Sequence, residues 1–189
     1  MRVTGGTLRG RPLARPKGDG GTARLRPSSD RMRESLFNLL AHGDWPPLEG
    51  ARVLDLFAGT GALGLEAISR GAERVQFVDD GPEARALLRT NIEALDLIGR
   101  AKVYRRDATR LGANRGAPYG WVFLDPPYGR GLGPRALASA LAGDWLAPGA
   151  AIVLETGADE TPELPPEIAA RETRIYGAAK LTLAYRKSP

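Results

Sequence analysis

The sequence predicts an α/β fold: a doubly wound, mostly parallel sheet of seven strands, with helices on both faces and an antiparallel pair at the C-terminal end. Three observations predict it. From Arg52 onward short apolar runs alternate with amphipathic stretches at helical spacing, and glycine or proline marks most of the switches. The apolar runs lack a polar face, as strands covered on both sides by helices must. Near the end the rhythm changes, and "ARETRIYG" and "KLTLAYRK" alternate with period two, the pattern of half-buried antiparallel strands.

The elements follow in order. Residues 1–13 can form a short hairpin around Gly5-Gly6, and 14–24 is a loop rich in glycine, proline and basic residues. "RPSSDRMRESLFNLLAH" is a helix that Ser28, Ser29 or Asp30 can cap, with Met32, Leu36, Leu39 and Leu40 on one face. "GDWPPLEG" is a linker. "RVLDLF" is the first strand, and "ALGLEAISRG" a helix ended by Gly71. "RVQFVD" is the second strand, and "PEARALLRTNIEAL" a helix with proline near its first position. "AKVYRRD" and "GWVFLD" are the third and fourth strands, "GPRALASALA" a helix and "GAAIVLET" the fifth strand. Two regions result: a basic N-terminal extension over 1–44 and a domain over 45–189. The segment 1–24 is rich in Gly and Pro and supplies little core, so the domain is expected to survive its removal.

Composition removes several classes of chemistry. The chain has no cysteine, which excludes disulfides, thiolate metal sites and cysteine nucleophiles. His42 is the single histidine, so histidine metal clusters and histidine-pair acid–base chemistry are absent as well. No apolar run approaches the ~20 residues that span a bilayer, and neither a membrane nor a metal is expected; the expected compartment is the cytoplasm. Charge is unevenly placed. Residues 1–35 carry nine basic side chains (Arg2, Arg9, Arg11, Arg15, Lys17, Arg24, Arg26, Arg31 and Arg33) against Asp19, Asp30 and Glu34, so the rest of the chain is close to neutral. A polyanion is the partner such an end attracts, although a solvated tail has the same composition.

Two motifs carry chemistry, each at the end of a strand. "DLFAGTGALG" spaces Gly59, Gly61 and Gly64 as G-x-G-x-x-G between a strand and a helix, and Asp79 ends the next strand. That pattern lets a backbone approach a nucleotide and lets an acid take ribose hydroxyls. Asp55 precedes the loop and places a carboxylate where a pyrophosphate would sit, which disfavours a dinucleotide and favours a cation. A ligand with adenosine at one end and a cationic amino acid at the other fits, and S-adenosylmethionine is such a molecule. "DPPY", Asp125 to Tyr128, follows the fourth strand. Two prolines stiffen the backbone and remove donors, leaving carbonyls free to accept. A planar group carrying an N–H2 suits a site so built, with a carboxylate, a stiffened backbone and an aromatic ring in four consecutive residues.

These motifs resemble those of known enzymes. "VLDLFAGTGALGLEA", "FVDD" and "RRDA" resemble the cofactor motifs of class I S-adenosylmethionine-dependent methyltransferases, which have a Rossmann-like fold. The resemblance implies that Asp55 and the backbone of Ala58, Gly59, Thr60 and Gly61 hold the methionine end. It assigns Asp79 to the ribose hydroxyls, with Asp80 the alternative one residue on, and Asp107 with Ala108 to the adenine. Bland roles exist too: Asp80 can cap the following helix and Asp107 can be a strand-end turn residue. "DPPY" resembles the motif of enzymes that methylate exocyclic base amines. The resemblance implies that Asp125 and the Pro126 carbonyl take both N–H groups of a base amine and stabilise the charge that grows on its nitrogen. It implies too that Pro127 holds the turn still and that Tyr128 offers a face for an unstacked base, the proton leaving to Asp125 or to solvent. "GGTLRGRPL" and "LRPSSDRMRESLFNLL" resemble the N-terminal motifs of the bacterial 16S ribosomal RNA guanine-N2 methyltransferases, with Ser29 for the usual threonine and Met32 for the usual valine. The likeness runs along nearly the whole chain. It implies methyl transfer to the N2 amine of a guanine in 16S ribosomal RNA, yielding S-adenosylhomocysteine. The expected partner is that RNA, the small ribosomal subunit or an assembly intermediate, met by a monomer through Arg24, Arg26, Arg31 and Arg33. Ion pairing with acids such as Glu34 is the other use for those arginines. An adenine-N6 methyltransferase acting on RNA or DNA remains open, because DPPY serves that amine too. A small-molecule methyltransferase would leave the basic extension without a purpose, and a non-catalytic RNA-binding protein would have no need of both motifs intact.

Overall fold

The computed structural model of the chain describes residues 1–15 and 29–188. Strands β1 (Arg52–Leu56), β2 (Arg74–Val78), β3 (Ala101–Tyr104), β4 (Tyr119–Leu124) and β5 (Leu146–Gly157) pair in parallel. β6 (Ile168–Tyr176) and β7 (Ala179–Arg186) join them antiparallel. The order across the sheet is β3-β2-β1-β4-β5-β7-β6. It reverses between β1 and β4, which opens a crevice beyond their carboxyl ends.

Helices cover both faces because strand side chains alternate. Val53, Phe77, Phe123 and Val153 pack with α1 (Asp30–His42), α2 (Ala62–Ser69) and α3 (Pro82–Ala94). Leu54, Val78, Leu124 and Leu154 point the other way, onto α4 (Leu132–Ala142). The Ser29 hydroxyl caps α1, accepting from the Met32 N–H at 3.1 Å, and Pro82 opens α3. The expected apolar face of α1 is there, with Phe37 and Arg33 added to it and Leu39 at its margin.

The N-terminal segment departs from its expected independence. It forms the hairpin, with an Arg2–Pro12 bridge, an Arg11 carbonyl bonded to the Val3 N–H at 2.9 Å and a 3₁₀ turn at Gly6–Leu8. Val3 and Leu13, however, are 1% and 5% exposed and belong to the same core as α1, α2 and the sheet. Polar bonds reinforce the packing. Thr4 donates through its N–H (2.8 Å) and its hydroxyl (2.7 Å) to Glu66 on α2. The Ala14 N–H donates to Asn91 Oδ1 at 2.6 Å, while Asn91 Nδ2 donates at 2.9 Å to the Thr60 carbonyl. Two apolar anchors and a handful of long-range bonds suffice to fasten a segment that its glycine and proline content predicts to be loose.

Candidate active site

The loop between β1 and α2 stands at the topological reversal. Gly59 and Gly61 take φ of +55° and +80°, the left-handed region that glycine enters without steric cost. Gly64 has a different duty. A Cβ there would lie 2.4 Å from Phe77 Cε1, so its lack of a side chain allows α2 to pack on β2. Phe57 also has a left-handed φ of +58°, which costs a non-glycine residue about 1 kcal/mol. It lines the cleft beyond the strands, and the motif reading did not single it out.

Two acids bind this loop from beneath. Asp79 accepts from the Gly59 N–H at 2.9 Å and from the Gly81 N–H at 2.7 Å, so both carboxylate oxygens are oriented, each with lone-pair capacity remaining. Asp80 is exposed, and the N-cap of α3 is Gly81, one residue after it. Asp55 is 2% exposed and accepts from the Gly64 N–H at 2.9 Å. Burial pushes its carboxyl up to about 8, the Gly64 bond opposing and the charge of Asp79 adding.

Phe57, Val78, Asp79, Asp80, Arg106, Asp107, Ala108, Asp125 and Pro127 line one cleft. Asp107 caps the 3₁₀ turn Ala108–Arg110, accepting from the Thr109 N–H and hydroxyl through Oδ1, both at 2.8 Å. The expected turn role is therefore present, and Oδ2 is not used by it. Apolar side chains and four carboxylates, with Arg106 beside them, offer acceptors for a nucleoside's hydroxyls and amine and a negative field for a cation, so the residues present fit S-adenosylmethionine.

The DPPY turn forms the partition between that cleft and a second. Asp125 and Pro127 line the first, and Pro126, Pro127, Tyr128, Glu155 and Thr156 line the second, of about 460 Å³. Burial raises the Asp125 carboxyl well above the usual range, and the charges of Glu155 and Asp55 raise it further. Tyr128 is 37% exposed, and its hydroxyl donates to Glu155 Oε1 at 2.5 Å. Leu124 pairs with Leu154, so Asp125, the residue after β4, lies next to Glu155 of β5. Glu155 is a site residue that motif reading missed, since "LET" inside an apolar strand carries no signal beyond one misplaced charge.

The family model described as "Conserved hypothetical protein 95" matches residues 1–185. The ribosomal RNA small subunit methyltransferase D of Escherichia coli is 35% identical over 189 residues, covering 100% of this chain and 91% of the relative. This chain belongs to the methyltransferase D family. A candidate rRNA methyltransferase of Bacillus subtilis is 44% identical over 131 residues, covering 68% of this chain and 67% of its own. Among solved structures, a candidate methyltransferase from E. coli superposes with a TM-score of 0.84 at 34% identity, covering 100% and 99% of the two chains. That superposition spans the N-terminal segment as well as the sheet and its helices.

The expected RNA contacts of this methyltransferase D chain fare unequally. Arg24 and Arg26 lie outside the described residues, and Arg31 is exposed on α1. Arg33 is a correction. It is fully buried, pairs with Glu66 at 3.4 Å and Asp30 at 2.8 Å, and donates to the Arg2 carbonyl. It holds α1 and the N-terminal segment to α2 and has no surface to offer a ligand. A basic surface lies elsewhere. Arg52, Arg74, Arg100, Lys102, Arg106 and Arg115 line a groove of about 800 Å³ with Tyr104, Tyr119 and Trp145, and no acid among the described residues lines it. Arg106 borders both this groove and the cofactor cleft. Near-neutral charge over the body of the chain concealed it, because acids gather at the carboxyl ends of the strands while Arg52, Arg74, Arg100 and Lys102 lie at or beside the amino ends.

Proposed function

We propose that this protein transfers a methyl group from S-adenosylmethionine to the N2 amine of a guanine in 16S ribosomal RNA. One observation carries the reading: the DPPY turn is the shared wall of a narrow cleft lined by Asp79, Asp107 and Ala108 and an open cleft of about 460 Å³ with room for a base. When bound, the cofactor supplies an electrophilic methyl group on a sulfonium. Asp79 would hold its ribose, Asp107 and Ala108 its adenine, and Asp55 with the backbone of Ala58 to Gly61 its methionine end. Asp125 and the Pro126 carbonyl accept the two N–H groups of the target amine, which turns the nitrogen lone pair toward the cofactor cleft. Pro126 and Pro127 restrict the backbone of the turn, and the partly exposed Tyr128 offers its ring to the base. As the nitrogen gains its new bond it must lose a proton. Asp125, more basic than an exposed carboxylate because of its burial and its acidic neighbours, is placed to take it.

The base must be unpaired or flipped to enter. Arg31, Arg24 and Arg26 remain the proposed RNA contacts at the N-terminal end, joined by the basic groove, where Lys102 and Arg115 are exposed. The RNA names carried by the family's members support this partner, and the reading places the work in the cytoplasm, on the RNA or a subunit containing it. The test incubates the protein and labelled cofactor with small subunits lacking the modification and digests the RNA to nucleosides. Label in N2-methylguanosine is expected. Label in N6-methyladenosine would establish the adenine alternative, and an unlabelled RNA would overturn the reading.

A further inference from the structure

A carboxylate beside the DPPY turn is only half used. Glu155 is 6% exposed and its Oε1 accepts from Tyr128, but its Oε2 is buried without a hydrogen-bond partner among the described residues. Buried acceptors are nearly always satisfied, and an orphan in a native fold calls for a reason. The sheet explains how it arises. Asp55 on β1, Asp125 after β4 and Glu155 on β5 follow core residues of the same face, Val53, Phe123 and Val153, by two positions. Strand alternation therefore points all three acids to one side at the carboxyl ends. The first two are accounted for by the cofactor cleft and the target amine. Glu155 lines the open cleft with Pro126, Pro127 and Tyr128 and has no role in the transfer as derived above.

The edge of a purine supplies a donor of the needed kind. In guanine the ring N1–H stands next to the N2 amine. If the amine is held by Asp125 and Pro126, N1–H points to the next acceptor along the same wall. Adenine presents a bare N1 there, an acceptor that would meet a carboxylate oxygen with no proton between them. We propose that Glu155 is the specificity-determining residue of the pocket, its carboxylate accepting the N1–H of the target guanine while Tyr128 holds the carboxylate in place. The inference rests on the reading of the DPPY turn as the methylation pocket.

The test compares two RNAs, identical except at the methylated nucleotide, which is guanine in one and 2,6-diaminopurine in the other. Both bases offer an amine at position 2, and only guanine has N1–H. The wild-type protein should favour guanine in kcat/KM by roughly 10- to 100-fold, the value of one hydrogen bond to a charged acceptor. In Glu155→Gln the amide can accept from one base or donate to the other, so the preference should collapse toward unity. If Glu155 serves only to position Tyr128, Glu155→Gln and Tyr128→Phe will slow both RNAs alike and leave the preference intact, which overturns the inference. A wild-type protein indifferent to the two bases overturns it as well. Should Glu155→Gln fail to fold, Glu155→Asp keeps the charge and must keep the guanine preference at a lower rate; loss of the preference in a folded Glu155→Asp counts against the inference. A wild-type protein that methylates neither RNA instead sinks the reading of the turn, and this inference with it.

Discussion

The guanidinium of Arg33 lies 3.4 Å from the carboxylate of Glu66, and neither side chain is exposed to solvent. Glu66 also binds Arg70 at 2.8 Å and Thr4, so one buried acid joins the N-terminal hairpin, α1 and the helix that follows the glycine loop. Arg33→Ala should destabilise the fold by about 3 kcal/mol, the lower end of the range for breaking a buried pair, since Arg70 still partners Glu66. Arg31→Ala, on the exposed face, should change stability by no more than about 0.5 kcal/mol and weaken RNA binding. Denaturant titration with an RNA-binding assay separates the two; equal stability losses would refute the assignment.

Removing residues 1–15 should cost both stability and cofactor affinity. It strips Val3 and Leu13 from the core and frees Asn91, which bridges Ala14 to the Thr60 carbonyl in the glycine loop. Calorimetry on the truncated protein checks this. An unchanged melting temperature would mean that the segment is the removable tail its composition suggests.

Asp125→Ala should lower kcat by roughly 100-fold or more, as loss of one preorganised acceptor at a charged transition state does. Cofactor affinity should move far less, because the partner of Asp125 is the base amine. Parallel losses in rate and affinity would make Asp125 a cofactor residue, a role its place on the shared wall permits.

Asp79→Ala should weaken S-adenosylmethionine binding by about 1.5–3 kcal/mol, the span for a hydrogen bond with a charged group. The bond from Gly59 to Asp79 makes it the acid that also orients the loop. If Asp80→Ala does the damage instead, the ribose is held one residue further on.

The raised pKa of Asp55 has two consequences of opposite use. Between the ordinary 3.8 and about 8 the folded protein keeps a proton on Asp55 that the unfolded chain has released. Stability of the ligand-free protein therefore falls as pH rises through that window. A cationic ligand favours the ionised carboxylate, so S-adenosylmethionine affinity should rise with pH up to about 8, with proton release on binding. Asp55→Asn should flatten both dependences while its amide oxygen still accepts from Gly64. Titration calorimetry in buffers of different ionisation enthalpy reads the protons directly; pH-independent binding by the wild-type protein would contradict the assignment.

Much of this protein is legible without coordinates because the signals are local. Alternating apolar runs, Gly71 closing one helix and Pro82 opening another place every strand and helix to within a few residues, and both motifs fall at strand ends where such sheets bind ligands. Strand order needs pairings across the sheet, and local periodicity carries no record of them. The same limit hid the rest. Arg33 looks like a surface cation on an amphipathic helix until Glu66, thirty-three positions on, is brought beneath it. Glu155 is one charge in an apolar strand until β5 sets it beside Asp125 and under the Tyr128 hydroxyl. The basic groove is assembled from the edges of several strands and loops, and its charges cancel in the sum against acids that the fold carries to another surface. Burial and pairing are properties of residues far apart in the chain, and only the packed sheet and its helices decide them.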